Sequence, residues 1–365
     1  MKIKFVNLSR QYIEDQDKIL SAINKVSIKG DFVLGESLKN FENKFSSFCN
    51  TKYSLGLNSG SDALFLYLKS LDLSKDDEII LPSLSFIATA WAAGNTGAKI
   101  VFCDVGNDMN IDANKIENLI TKKTKVIIPV HLTGRVCNMN IIIKICKKYK
   151  IKLLEDSAQA FGSLYYNKFA GSFGDAAAFS LHPLKLLNVM GDGGVLTTNN
   201  ERIYKSIKLL RNHGLKNKDS LVWGYNSRLD NIQAEIGNIK LNKIKKRIKV
   251  NQKYANIYNS QLSKNLITPE INSYEKPVFH RYIVHIEKNK RSNFQNYLFK
   301  NNIETTINYG IPLHLQKSSK YLGYKENSLP VSERLSKTML SLPLYPELSE
   351  LEVEYTIEKI NRFFQ

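Results

Sequence analysis

Short apolar runs rich in β-branched residues alternate with amphipathic segments between about residues 50 and 200. The apolar runs are YSLGL, EIILP, AKIVFCDV, TKVIIPVHL, KLLED, AAAFS and GGVLTT, with GDFVLG lying just upstream. Helical segments between them begin at Ser61, Ala88 and Met139. Strands that alternate with helices are typical of a mostly parallel sheet covered on both faces. We therefore predict an α/β fold whose ligands bind at the carboxyl ends of the strands.

The pattern changes in the second half of the chain. Periodicity predicts helices over residues 201–212 and about 231–262, separated by a loop that contains Gly224 and Asn226. After Pro269 come a strand (RYIVHIE), a helix over residues 292–300 and a last helix over residues 349–364. At 365 residues the chain is long enough for two domains. We predict a large domain with an N-terminal arm over residues 1–245 and a smaller α+β domain over residues 246–365.

The composition is that of an ordinary globular protein, with 43% hydrophobic and 24% charged residues, but the net charge is +18. The lysines are scattered along the chain. The densest basic run, residues 240–253, predicts a solvated amphipathic helix in which Ile244 and Ile248 face inward. No DNA-binding motif is recognisable, so we expect no nucleic-acid partner. A phosphate-bearing substrate would benefit from the positive field.

Cysteine spacing and hydropathy indicate where the protein works. Cys49, Cys103, Cys137 and Cys146 form no CxxC pair and no Cys/His metal pattern, so we expect no metal site and a reducing compartment. No segment approaches the roughly 20 apolar residues that a membrane helix needs. We therefore expect a cytoplasmic protein with no membrane partner.

The segment AAAFSLHPLKLLNVMGDGGVLTTN contains a candidate catalytic lysine. A predicted strand ends at Ser180, a turn follows with His182 and Lys185, and a glycine-rich loop leads into the next strand. Desolvation of a lysine just after a buried strand lowers its pKa and makes its amine nucleophilic. Most lysines in such positions are solvated, so this segment alone is weak evidence.

The segment KLLEDSAQAFG places an acid at the same edge of the predicted sheet, because its strand ends in Glu155 and Asp156. Asp156 could simply cap a helix. A carboxylate beside a pyridine nitrogen keeps that nitrogen protonated, and a protonated ring is the electron sink of pyridoxal chemistry. The pairing of Asp156 with the downstream Lys185 favours this cofactor interpretation.

The segment LNSGSDALFLYL is a candidate phosphate site. Asn58, Ser59, Gly60, Ser61 and Asp62 precede a strongly apolar helix, and the free amide groups of a helix start, with small side chains beside them, let an anion approach. Serine and aspartate also cap helices that bind nothing, so the segment is ambiguous by itself.

Ordered blocks along nearly the whole chain resemble the DegT/DnrJ/EryC1/StrS family of sugar aminotransferases, which depend on pyridoxal 5'-phosphate. The blocks are GDFVLGESLKNFENKF, NSGSDAL, LPSLSFIATA, PVHLTGR, EDSAQAFG, FSLHPLK, GDGGVLTTN, LLRNHG, GYNSRLDNIQA and IPLHLQ. The resemblance implies the aspartate-aminotransferase-type fold, also called fold type I, with a mostly parallel seven-stranded sheet in the large domain.

The resemblance also implies roles for individual residues. Lys185 would form the Schiff base and carry protons to and from the cofactor, and Asp156 would hold the pyridinium nitrogen. The other implied cofactor contacts are Gln159 near the ring hydroxyl, Phe86 stacked on the ring, and Gly60, Ser61 and Ser180 at the phosphate. Asn226 would reach that phosphate from the neighbouring subunit, so we expect a homodimer with shared active sites. Substrate contacts are implied for His182, Tyr309 and His314, while the other histidines are expected to be structural.

The implied reaction moves the amine of an amino acid, L-glutamate, through the pyridoxamine form (PMP) to a nucleotide-linked keto-sugar, leaving 2-oxoglutarate. Dehydratase relatives carry histidine where this chain has Lys185, which favours transamination. The alternatives are a dehydratase or lyase of the same fold, or a non-catalytic cofactor-binding regulatory protein. The GDGG loop leans towards amination at C3 rather than C4. Such amino sugars enter surface polysaccharide, including lipopolysaccharide, or secondary metabolites, and nothing in the chain decides between them.

Overall fold

The computed structural model describes all 365 residues, Met1–Gln365. The helices are α1 (Leu8–Lys29), α2 (Glu36–Cys49), α3 (Gly60–Lys69), α4 (Ile87–Gly94), α5 (Ala113–Ile116), α6 (Met139–Tyr149), α7 (Glu201–Leu210), α8 (Asn231–Gln261), α9 (Arg291–Lys300), α10 (Pro330–Thr338) and α11 (Glu350–Phe363). The strands are β1 (Tyr53–Leu57), β2 (Glu78–Pro82), β3 (Lys99–Cys103), β4 (Thr124–Ile127), β5 (Lys152–Asp156), β6 (Leu164–Tyr165), β7 (Lys168–Phe169), β8 (Ala176–Ser180), β9 (Gly194–Thr198), β10 (Leu215–Lys216), β11 (Asp219–Ser220), β12 (Glu275–Lys276), β13 (Tyr282–His285) and β14 (Met339–Leu342).

A seven-stranded sheet in the order β1-β9-β8-β5-β4-β2-β3 forms the centre of the large domain. The pairs from β8 to β3 are parallel, whereas β9 is antiparallel to both of its neighbours, β1 and β8. Strands β1 and β8 therefore run in the same direction and end at the same edge of the sheet. The predicted α/β fold with a mostly parallel seven-stranded sheet is confirmed.

Helices cover both faces of this sheet, as the alternation of side chains along its strands requires. Leu154 and Ala178 join the core under α3 and α4. Their neighbours Leu153 and Phe179 point to the opposite face, where α2, α6 and α8 pack. The helices cover the faces of the sheet but not its edge at the carboxyl ends of the parallel strands, where the loops that follow these strands lie.

The smaller domain has its own core, built on the antiparallel pair of β13 and β14 with α9, α11 and the second half of α8. The long helix α8 runs unbroken through the domain boundary that was predicted at residue 245. Its Ile248 still packs in the large domain, while Tyr254 belongs to the small one. Ile3 also packs in the small-domain core, so the N-terminal arm reaches both domains.

Some elements differ from the sequence-based expectations. The first two helices, helix α10 and strand β14 were not predicted. The segment GDFVLG, placed with the apolar series, forms no strand; Gly30 ends α1 in the left-handed region, and Leu34 also has a positive φ of 56°. None of the helices combines the length and the apolar character that crossing a membrane would require.

Candidate active site

A cavity of about 410 Å³ lies at the carboxyl edge of the central sheet. Its walls come from the segments that follow β1, β2, β4, β5 and β8, and from small-domain residues that close one side. Because parallel strands direct their ends to a common edge, segments far apart in sequence meet here. Nine of the eleven site residues expected from the sequence line this cavity: Gly60, Ser61, Phe86, Asp156, Gln159, Ser180, His182, Lys185 and Tyr309.

Lys185 lies on the turn that follows β8. Its backbone N–H donates to the carbonyl of His182 at 2.8 Å, which closes the turn and directs the side chain into the cavity. Burial lowers the pKa of its amine to about 8, the nearby positive charge of Arg281 acts in the same direction, and Asp156 opposes both. A lysine with this pKa has a usable fraction of neutral, nucleophilic amine at neutral pH.

Asp156 ends β5 at the bottom of the cavity and is 5% exposed. The Thr89 hydroxyl donates to its Oδ2 at 2.8 Å, and the backbone N–H of Ala158 donates to its Oδ1 at 3.2 Å. Burial raises the pKa of this carboxyl, while these two hydrogen bonds and the charge of Lys185 lower it. The carboxylate is thus held in one orientation, facing a cationic group.

Gly60, Ser61 and Ser180 form a cradle at the start of α3. As the first two residues of the helix, Gly60 and Ser61 have backbone N–H groups with no intrahelical acceptor. A Cβ on Gly60 would lie 2.9 Å from Ser180 Cβ, and one on Gly194 would lie 2.2 Å from the Ser59 carbonyl oxygen. Glycine at both positions therefore lets the strand ends and the helix start close around a small anion.

Gln159 and Tyr309 connect the two domains across the cavity. Gln159 Nε2 donates to the Tyr309 hydroxyl at 3.3 Å, and its Oε1 accepts the Thr133 N–H at 2.8 Å. Phe86 is 54% exposed, with its ring centroid 6.0 Å from that of Tyr309. An aromatic ring of this exposure in a cavity wall is suited to stacking on a planar ligand.

His182 is exposed at the mouth of the cavity, on the same turn as Lys185. Its Nδ1 accepts the N–H of Leu184 at 3.2 Å. Burial and the charge of Lys185 lower its pKa, while Asp192 raises it. The lowered pKa favours the neutral imidazole at neutral pH.

Asn226 and His314 do not line the cavity. Asn226 is exposed and pairs through its backbone with Asn212, so within one chain it makes no contact with the site. The expectation that His314 contacts the substrate is not supported, because His314 is 1% exposed. Its Nε2 lies 3.2 Å from Glu333 Oε1, and its ring packs beside Phe102. We correct its role to a structural one.

The turn that carries Lys185 is held from behind by Asn188. The Asn188 amide donates to the carbonyls of Pro183 and Lys185 at 2.6 and 2.8 Å, and to Gln11 of α1 at 3.1 Å. The ammonium of Lys240, on α8, donates in turn to Asn188 and Gln11. Two helices are thus connected to the backbone that positions the candidate catalytic amine.

Glu155 supports the neighbouring strand end and is fully buried. Its carboxylate accepts the backbone N–H groups of Gly171, Phe173 and Gly174 at 2.7 to 2.8 Å and lies 3.0 Å from His131 Nε2. These contacts satisfy the buried charge and fix the segment between β7 and β8.

Three residues of the site were not anticipated from the sequence: Thr89, Asp192 and Arg281. Thr89 lies near the start of α4, four residues after Ser85, and the hydroxyl groups of these two residues form a hydrogen bond. If the segment LPSLSFIATA is taken as a helix, residues four apart lie on the same face, so the sequence does contain a signal for this pair. Arg281 comes from the small domain, and its place in the cavity depends on how the two domains pack.

Comparison with known proteins agrees with this geometry. A model of the DegT/DnrJ/EryC1/StrS aminotransferase family matches residues 13–361. The chain is 39% identical to a dTDP-3-amino-3,6-dideoxy-alpha-D-galactopyranose transaminase from Aneurinibacillus thermoaerophilus, over 99% of both chains. It is 36% identical to a protein named pleiotropic regulatory protein from Geobacillus stearothermophilus, covering 100% of this chain and 99% of that one.

Solved structures match over nearly the full length as well. DesV of S. venezuelae, solved with a ketimine intermediate, superposes with a TM-score of 0.96 at 31% identity, covering 99% of this chain and 98% of DesV. The NtdA protein of Bacillus subtilis, solved with bound PMP, superposes with a TM-score of 0.90 at 30% identity, covering 98% and 84%. Both solved structures therefore share the fold of this chain over nearly its full length.

Proposed function

Since the chain belongs to the DegT/DnrJ/EryC1/StrS aminotransferase family, we propose that it moves the amine of L-glutamate to the keto carbon of a nucleotide-linked sugar. The observation that carries this proposal is the presence of Lys185 and Asp156 in one cavity, with the pKa of the lysine lowered to about 8. A buried acid and a partly neutral amine at the edge of such a sheet are the pair that pyridoxal chemistry needs.

The residues present fit pyridoxal phosphate. The cradle of Gly60, Ser61 and Ser180 would take the phosphate, and the oriented carboxylate of Asp156 would take the ring nitrogen. Lys185 would hold the cofactor covalently. When bound, pyridoxal phosphate supplies an aldehyde carbon that carries the amine and a ring that accepts electron density. Phe86 would stack on the ring, and Gln159 would lie near the ring hydroxyl.

The proton chemistry falls to Lys185. Its lowered pKa means that it can release and take up a proton near neutral pH, as a general acid and base must. The neutral His182 on the same turn lines the route to solvent and adds no positive charge.

A nucleotide-linked 3-keto sugar is the proposed acceptor. The relative from A. thermoaerophilus is named for a 3-amino sugar, and a relative from Acidithiobacillus ferrooxidans, 34% identical, is also named as a 3-aminotransferase. The GDGG loop of this chain leans in the same direction.

We further propose a homodimer in which Asn226 completes the phosphate site of the partner. Asn226 is exposed and lies outside the cavity of its own chain. Apolar side chains are exposed near it in sequence, with Trp223 at 94% and Leu221 at 52%. Large apolar side chains that are exposed near Asn226 favour association with another protein surface. Sedimentation velocity should give the mass of two chains, and a monomer under all conditions would contradict the proposal.

The test of the central proposal is the absorbance of the cofactor-loaded protein before and after L-glutamate. We expect a visible band that disappears as the amine is transferred, and no such band in Lys185→Ala. Borohydride reduction followed by peptide mapping should place the cofactor on Lys185 and not on Lys240, the other buried lysine whose pKa is lowered to about 8. A protein that stays colourless with added pyridoxal phosphate would refute the proposal.

Product analysis separates the proposed reaction from its alternative on the same fold. With dTDP- or UDP-linked 3-keto sugars, an aminotransferase gives a product that has gained nitrogen. A product that has lost oxygen without gaining nitrogen would indicate a dehydratase instead.

A further inference from the structure

Arg281 projects from the small domain into the candidate active site. It immediately precedes β13, in which Tyr282 and Val284 point into the small-domain core and Ile283 packs at the junction between the domains. Because side chains alternate along a strand, Arg281 lies on the same side as Ile283. Both line the cavity that contains Lys185.

The guanidinium of Arg281 has no acidic partner. Three other enclosed arginines of the chain pair with glutamates: Arg135 with Glu275 at 2.8 Å, Arg211 with Glu42 and Arg247 with Glu347. Arg281 instead lies over the ring of Phe5, with its Cζ 4.8 Å from the ring centroid. Such a contact uses the face of the guanidinium and leaves its N–H edges for another ligand.

An enclosed positive charge without a counterion is unfavourable unless an anion joins it. Burial lowers the pKa of Arg281 to about 10, and Tyr309 opposes that shift, so the guanidinium stays charged at neutral pH. Lys185 adds a second cationic group in the same cavity, against the buried carboxylate of Asp156 and the exposed carboxylate of Asp192. The positive charge of Arg281 in this wall of the cavity therefore favours the binding of an anionic ligand.

We infer that Arg281 binds the α-carboxylate of the amino-acid donor, an assignment that rests on the proposed aminotransferase function. The planar guanidinium fork matches a carboxylate with two parallel hydrogen bonds. The α-carboxylate is attached to the carbon that carries the reacting amine, so it must lie in the same cavity as Lys185. The diphosphate of a nucleotide-linked sugar presents similar charge, but it is attached at C1 and extends away from the reacting C3.

Two small reagents separate carboxylate recognition from general reactivity. Aminooxyacetate and O-methylhydroxylamine both react with the aldehyde carbon of bound pyridoxal phosphate and remove its visible band, but only the first carries a carboxylate. In Arg281→Met, we expect the rate constant for aminooxyacetate to fall about 100-fold, as loss of a charge-assisted bidentate pair implies. The rate constant for O-methylhydroxylamine should stay within about twofold, and Arg281→Lys should recover part of the loss.

The matched control is Arg334→Met, which removes a positive charge from the neighbouring groove and not from this cavity. Its ratio of the two rate constants should equal that of the wild type. A readout without turnover is the calorimetric affinity of the cofactor-loaded protein for glutarate, which should weaken in Arg281→Met only.

The outcomes are distinct. Equal slowing with both reagents would mean that Arg281 acts through Lys185 or the fold, and would overturn the assignment. An unchanged aminooxyacetate rate with weakened binding of dTDP and UDP would assign Arg281 to the diphosphate and also overturn it. Failure of the proposed function would appear differently, as a wild-type protein that gives no spectral change with L-glutamate.

Discussion

Removing the charge of Asp156 or that of Arg281 is expected to move the pKa of the Lys185 amine in opposite directions. Burial and Arg281 lower this pKa from 10.5 to about 8, and Asp156 opposes them. Asp156→Asn removes a charge that favours the protonated amine, so the pKa should fall below 8. Arg281→Met removes a charge that disfavours it, so the pKa should rise.

The size of the effect follows from the shift itself. At pH 7 a pKa of about 8 leaves about one Lys185 amine in eleven neutral. A lysine at its ordinary pKa of 10.5 would have a neutral fraction smaller by about 300-fold. The rate at which the cofactor-free protein captures pyridoxal phosphate should follow that neutral fraction, rising with pH and levelling off above the pKa of Lys185.

Stopped-flow absorbance between pH 6 and 10.5 measures this capture rate in the cofactor-free protein. The titrations of pyridoxal phosphate itself are common to every variant, so the quantity to compare is the displacement of the midpoint. Arg334→Met, which leaves the cavity unchanged, should keep the wild-type midpoint near 8. A wild-type midpoint near 10.5, or movement of both test variants in the same direction, would refute the electrostatic reasoning.

Three further substitutions test the supports of the site. Gly60→Ala places a methyl group 2.9 Å from Ser180 Cβ, so pyridoxal phosphate should bind at least about tenfold more weakly in a fluorescence titration. Pyridoxal, which has no phosphate, should bind the wild type and Gly60→Ala equally in the same titration. Asn188→Ala leaves the carbonyl of Lys185 without its side-chain donor and should lower the free energy of unfolding, measured by urea denaturation, by about 2 kcal/mol. An unchanged denaturation midpoint would mean that the turn is stable without the hydrogen bonds from Asn188. Glu155→Gln should cost roughly 2 to 3 kcal/mol in the same assay, because an amide with one oxygen replaces the two carboxyl oxygens that accept three backbone N–H groups; equal stability would mean that these hydrogen bonds do not stabilise the fold.

The strands of the central sheet could be predicted because they are short, apolar and bounded by turns. The first helix could not be predicted in this way. Of the five residues that α1 buries, Gln11 and Asp15 are polar, so the apolar stripe that identifies an amphipathic helix is incomplete. These polar side chains are buried because they bond to Asn188 and Lys243, which are distant in sequence.

The site was predictable to the extent that it lies at strand ends. Lys185, Asp156 and Gly60 each follow or end a strand, and a parallel sheet brings such positions together. Arg281 was not predictable, because its role depends on the packing of the small domain against the large one. The expectation for His314 failed for a similar reason, since a sequence block cannot show which side of a turn is buried against Glu333.

Helix α8 makes the two domains inseparable. Its 31 residues extend over about 46 Å, with one end in each hydrophobic core. A gene fragment cut at residue 245 would divide this helix near its middle and leave both fragments with an uncovered apolar face. Heating should therefore melt the whole chain in one calorimetric transition, and limited proteolysis should release neither domain intact.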